Sequence, residues 1–156
     1  MVADRIEKFI LRLKDKTQEG KLRWKVLSQY AEWDRIKEEI EKSVRVNLKN
    51  FYIDDEKSYC LNKNNGYVIV LYVRYSKAPI FSPALDKCIL LVKFNDDFPP
   101  ENLSTYNSED GYDSLLLELI EVIDKQKWEE YRLPEYMYDF FDKILKEDEN
   151  GRITDK

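Results

Sequence analysis

Residues 67–75, YVIVLYVRY, are apolar at both parities over most of their length. A strand with two apolar faces belongs in the middle of a sheet, because a half-exposed strand would alternate with polar residues. Asn64, Asn65 and Gly66 stand directly before it, and these residue types tolerate the positive φ of a tight reversal. With residues 58–63 upstream, the segment SYCLNKNNGYVIVLYVRY therefore reads as a hairpin. A further strand is expected over residues 87–94 (KCILLVKF), after a loop marked by Pro79 and Pro83. Alternation of Val44, Val46 and Leu48 with Arg45, Asn47 and Lys49 predicts a half-buried strand there. Phe51 and Ile53 continue it on shifted parity, past a bulge or turn near Lys49 and Asn50.

The flanks read as helical. Asp4 and Glu7 have capping-box spacing, and Val2, Ile6, Phe9, Ile10 and Leu13 recur on one face, which predicts a helix over 4–19. Gly20 stands where a helix needs a left-handed residue to turn back and satisfy its last carbonyls, after which Leu22 and Trp24 can fold onto the helix. A second helix is expected over 28–42, with Tyr30, Trp33, Ile36 and Ile40 near one face. Residues 94–113 break regular structure with Pro99, Pro100 and Gly111 and form the longest loop. Beyond it, Leu116, Leu119, Ile120 and Ile123 mark a helix over 114–126, and a last helix starts near Pro134 and runs through Phe140, Phe141, Ile144 and Leu145. The expectation is an α+β fold with N-terminal helices, a central three- to four-stranded antiparallel meander, and two C-terminal helices packed on one face. Its 156 residues suit one core, so a single domain over 1–147 and a polar tail over 148–156 are expected.

A helix ending in Thr17-x-x-Gly20-x-x-x-Trp24, a strand pair around NFYI (50–53) and SYCL (58–61), a Leu-rich helix and a closing helix resemble a family of small proteins from Firmicutes genomes and their mobile elements. The resemblance implies a bacterial or phage origin and carries over no activity.

Composition excludes several chemistries. The chain has no histidine, which removes Ser/His and Cys/His nucleophile pairs, HExxH zinc sites and the commonest general base near neutral pH. Cys60 and Cys88 lie in apolar strand-like runs without metal spacing, so both read as buried thiols. No run approaches the ~20 apolar residues that span a bilayer, and MVADRIEKF lacks the apolar core of a signal peptide, so a cytoplasmic protein without membrane contact is expected. The sequon Asn102-Leu103-Ser104 is then a chance match. Charge is lopsided: residues 1–95 hold 19 Lys/Arg against 13 Asp/Glu, and residues 96–156 hold 7 against 18.

Four constellations bear on function. Asp148, Asn150, Gly151, Ile153 and Thr154 fit places of a calcium loop, but its first ligand would be Lys146 and its last would fall past Lys156, so a polar tail is expected. Three acidic clusters, Asp54-Asp55-Glu56, Asp96-Asp97, and Glu109-Asp110 with Asp113, could build a two-metal site for a nuclease or phosphotransferase, although Asp-rich turns are also ordinary strand ends. Arg5, Lys8, Arg12, Lys16, Lys21, Arg23 and Lys25, with Trp24 or Tyr30 for stacking, could touch nucleic acid, against an acidic overall balance. Finally, 11 tyrosines and 3 tryptophans exceed what one small core readily buries, and several stand in the acidic half. This favours a non-enzymatic module that engages a basic protein partner, an inhibitor or conflict factor of the anti-CRISPR kind, with Tyr106, Glu109, Asp110, Tyr112, Asp113, Trp128 and Tyr131 as contact candidates. No cofactor, catalytic residue or metal ligand set is expected.

Overall fold

The computed structural model describes residues 2–63, 65–76, 84–107, 109–130 and 135–149. In chain order the elements are α1 (Val2–Gln18), β1 (Lys25–Val26), a 3-10 turn (Leu27–Gln29), α2 (Trp33–Arg45), β2 (Phe51–Ile53), β3 (Tyr59–Lys63), β4 (Gly66–Tyr75) and β5 (Leu85–Lys93). β6 (Glu101–Asn102), a second 3-10 turn (Leu103–Tyr106), α3 (Asp113–Glu130) and α4 (Glu135–Glu149) complete the described residues. The fold is α+β, with a six-stranded sheet in the order β1-β3-β4-β5-β6, all of its pairings antiparallel, and β2 pairs with the far end of β4 beyond β3.

The doubly apolar run is central, as its pattern requires. Cys88, Leu90 and Val70 face a core built with Ile6, Ile10 and Leu13 of α1 and Leu116, Leu119 and Ile123 of α3. Ile69, Leu71, Val73, Ile89 and Leu91, of opposite parity, face Trp33, Ile36, Ile40 and Val44 of α2. Helices therefore cover both faces of the sheet, one N-terminal and one C-terminal helix on the first and a single helix on the second. This corrects the expected arrangement in two respects: the sheet has six strands instead of three or four, and the face that α3 covers is shared with the N-terminal α1. Cys60 and Cys88 fall in different cores, both free and buried, which keeps them from pairing.

The predicted strand at Val44, Val46 and Leu48 is the end of a helix. α2 runs to Arg45, and the amides of Asn47 and Leu48 both donate to the Val44 carbonyl. Ile36, Ile40 and Val44 continue one helical face by steps of four. A step of four satisfies period two and period 3.6 alike, and Val46, the residue that separated them, is 77% exposed.

The corner after α1 is a clasp. Gly20, at φ 76°, donates to the Thr17 carbonyl at 3.0 Å, and Lys21 donates to the Lys16 carbonyl at 2.9 Å, the Schellman pattern that closes a helix. The Thr17 hydroxyl donates to the Leu13 carbonyl at 2.7 Å and accepts from the Trp24 indole N–H at 2.9 Å. Gln126 Nε2 donates to the carbonyls of Thr17 and Leu22, tying α3 to the same corner. The spacing Thr17-x-x-Gly20-x-x-x-Trp24 is thus accounted for by hydrogen bonding.

At the β3–β4 hairpin, Lys63 pairs with Gly66 and Asn65 takes the positive φ, 67°. Gly66 is required for another reason. A Cβ there would lie 2.2 Å from the Lys93 carbonyl oxygen and 2.4 Å from that of Phe94.

The chain divides into two compact units, Met1–Gln126 and Lys127–Lys156. Within the second, α4 exposes Tyr136, Tyr138, Phe140, Phe141, Ile144 and Leu145. Pro134 and the calcium-loop-like residues from Asn150 onward lie outside the described residues.

Candidate interaction surface

β5 ends at Lys93 and releases the chain into an acidic loop. The Asn95 side chain accepts from the Asp97 amide at 2.8 Å, and Phe98 N–H reaches the Asn95 carbonyl at 3.2 Å, so the loop folds on itself. That turn brings Phe94 and Phe98 together, ring centroids 5.8 Å apart and planes at 73°, the edge-to-face geometry that aromatic quadrupoles favour. Both rings stay in solvent, Phe94 at 75% and Phe98 at 54% exposed. Asp96, Asp97 and Glu101 around them are exposed. Between Lys93 and Lys125 the sequence has nine carboxylates and no Lys or Arg; the cations beside the loop are Lys93 at its start and Arg35 of α2, which line one cleft with Asp96.

The loop is anchored from behind. Glu101 and Asn102 pair back onto Val92 and Leu91. Asn102 Oδ1 accepts from the Ser104 amide at 3.0 Å, and the buried Ser104 hydroxyl accepts from the Leu90 amide at 3.0 Å. The outer edge of β5 is thereby closed by the two-residue strand β6 at Leu91 and Val92 and by the Ser104 side chain at Leu90, which protects it from stray pairing.

The predicted contact residues separate into two groups. Tyr106 is 51% exposed, and Glu109 and Asp110 are exposed; Asp110 Oδ1 also accepts from Asn107 Nδ2 and the Tyr112 amide, both at 3.0 Å. Tyr112, in contrast, is 4% exposed and belongs to the core against α1, its hydroxyl donating to the Ala3 carbonyl at 3.1 Å. Gly111 and Tyr112 have φ of 62° and 69°, and two successive left-handed residues turn the ring inward. Asp113 starts α3 and accepts from the Cys88 amide at 3.0 Å, a second plug on the β5 edge. Burial pushes its carboxyl above the usual range, against the lowering effect of that hydrogen bond and of Lys87. Tyr112 holds the fold and offers no contact surface, whereas Asp113 is half-buried, with one carboxylate oxygen committed to the Cys88 amide. The Trp128 side chain and Tyr131 lie outside the described residues.

Phe94 and Phe98 were not among the candidates. The signal for them was two phenylalanines set among aspartates just before Pro99-Pro100, where neither strand nor helix periodicity could bury both.

Residues proposed for other chemistries have structural partners. Asp55 Oδ2 accepts from the Trp33 indole at 3.2 Å, and Asp54 Oδ1 accepts from the Glu56 amide at 3.2 Å. Among the described residues no three Cys, Asp or Glu side chains converge to hold a metal ion. Trp24, a stacking candidate for nucleic acid, has its indole N–H committed to Thr17, and Lys16 and Lys21 both bridge Glu19. Burial pushes the thiols of Cys60 and Cys88 up to about 12, which leaves both inert near neutral pH. Among the described residues, no helix is long and apolar enough to cross a membrane. No protein family, curated protein or solved structure matches the chain.

Proposed function

We propose that this is a non-enzymatic protein-binding module of bacterial or phage origin. It engages a basic partner through acidic and aromatic contacts and acts as an inhibitor or conflict factor of the anti-CRISPR kind. The observation that carries the reading is the exposed Phe94–Phe98 pair among Asp96, Asp97 and Glu101. Aromatic anchors ringed by charge supply binding area at the centre of an interface and steer a partner of opposite sign at its rim. Tyr106, Glu109 and Asp110 extend the acidic surface along the same segment of chain. The test is affinity capture by the tagged chain from bacterial lysate at low and high salt. A stoichiometric basic protein that elutes as salt rises supports the reading; no recovery at low salt refutes it.

A further inference from the structure

A cleft of about 410 Å³ opens where the first turn of α2 meets the β3–β4 hairpin and the end of β5. The start of α2 contributes Glu32 and Arg35, and the end of β5 with the loop beyond it contributes Lys93 and Asp96. Each side therefore brings one charge of either sign, and the four sum to zero. Uncharged polar groups complete the lining, among them the phenol of Tyr30 and the amides of Asn62 and Asn65.

The four charges are engaged to different degrees. Lys93 lies 3.3 Å from Glu39, which also accepts from the Tyr67 hydroxyl at 2.9 Å, so this cation is held inside the protein. Glu32 accepts from Nε of Arg35. That bond uses one edge of a five-donor fork, and the two terminal nitrogens of Arg35 make no hydrogen bond among the described residues. Asp96 is exposed and makes neither a hydrogen bond nor an ion pair among the described residues. Its charge nevertheless reaches Arg35: hydrogen bonding and attraction from Glu32, then attraction from Asp96 and Glu39, raise the guanidinium above its ordinary value. The uncommitted groups are thus a guanidinium edge and a carboxylate within electrostatic reach of one another, with two amides and a phenol beside them.

We propose that this cleft binds a free α-amino acid, its carboxylate on the terminal nitrogens of Arg35, its ammonium on Asp96, and an uncharged polar side chain among Tyr30, Asn62 and Asn65. A simple anion would be repelled by Glu32 and Asp96 as much as Arg35 and Lys93 attract it, and a simple cation the reverse. A zwitterion with both charges on one carbon meets the opposite sign at each end. The planar guanidinium edge also matches a carboxylate bidentately. The cleft falls within the volume range of ordinary small-molecule sites. It shares Asp96 with the acidic loop but needs no protein partner, so titration of an amino acid and capture of a partner can fail separately.

Isothermal titration of the intact protein tests it with four probes: L-glutamine, L-leucine, N-acetyl-L-glutamine, which lacks the ammonium, and L-glutaminamide, which lacks the carboxylate. L-Glutamine should bind with a Kd below about 1 mM. Each derivative missing one charge should bind about tenfold more weakly or worse, and L-leucine should bind more weakly because it leaves the amides and the phenol unpaired. Arg35→Gln and Asp96→Asn should each weaken L-glutamine binding about tenfold or more, while Glu121→Gln, on α3 against the other face of the sheet, should match the parent. Arg35 and Asp96 are exposed, so both variants should keep the parental melting temperature, which separates loss of the site from loss of the fold. Any one of three results overturns the proposal: no saturation by L-glutamine below about 10 mM, either derivative binding as tightly as L-glutamine, or affinity unchanged in both cleft variants. L-Leucine binding as tightly as L-glutamine would overturn the role of Tyr30, Asn62 and Asn65.

Discussion

Gly66→Ala isolates one close approach of backbone to backbone. The added Cβ would meet the Lys93 oxygen at 2.2 Å, the Phe94 oxygen at 2.4 Å and the Phe94 carbonyl carbon at 2.8 Å. None of these is the end of a flexible side chain, so β5 must move away from β4 by about an ångström at its C-terminal end, against the pairing of Tyr67 with Lys93. Overpacking of this kind costs roughly 3 kcal/mol, the upper end of the usual range, because no rotamer change can relieve it. For a chain of this length that corresponds to a fall in Tm of roughly 10 °C. The sign is diagnostic. Positive φ occurs at Gly20 and Gly111 but not at Gly66, and where the backbone is compatible a Gly→Ala change stabilises by roughly 0.4–1 kcal/mol through the unfolded chain. Urea unfolding followed by circular dichroism measures the difference. A variant as stable as the parent, or more stable, would refute the claim that Gly66 is there to admit the β5 backbone.

Two further perturbations address the clasp and the β5 edge. Thr17→Val keeps the shape and removes the hydroxyl that links Leu13 to Trp24; a loss of about 1–2 kcal/mol is expected in urea unfolding. Asp113→Ala leaves the buried Cys88 amide unpartnered and should cost about 1–3 kcal/mol, whereas Asp113→Asn retains an acceptor and should stay close to the parent. The pH dependence has a definite sign: a carboxyl whose folded pKa is raised contributes stability below its unfolded pKa and loses it as pH rises through the folded value. Asp113→Asn should therefore gain on the parent as pH rises through the acid range, and a relative loss over that interval would contradict the burial of this carboxyl.

The parts of the fold read correctly from the sequence were those where one physical demand had one solution. A helix with Gly20 at its end and a strand apolar on both faces admit few alternatives, and both are present. Residues 44–48 failed because a four-residue step serves helix and strand alike. β1 and β6 are two residues long, too short for any period to register. Asn64-Asn65-Gly66 marked the hairpin correctly, but the reason for Gly66 lies in Lys93 and Phe94, some 27 residues on, which no local pattern reports. Tyr112 was read as a contact residue because it stands among carboxylates; two successive left-handed residues send its ring inward, and only the packing against α1 reveals it. Phe94 and Phe98 were passed over for the complementary reason, since exposure of a phenylalanine is a property of the turn that holds it.

The most direct test of partner binding is affinity capture with the parent and a Phe94→Ser/Phe98→Ser double variant side by side, quantified by mass spectrometry at low and high salt. Both rings are exposed, so the double variant should unfold at the parental urea concentration. The account predicts that the parent retains one basic protein in stoichiometric amount at low salt and releases it at high salt, and that the double variant retains none. Equal retention by the two, or retention indifferent to salt, would contradict it.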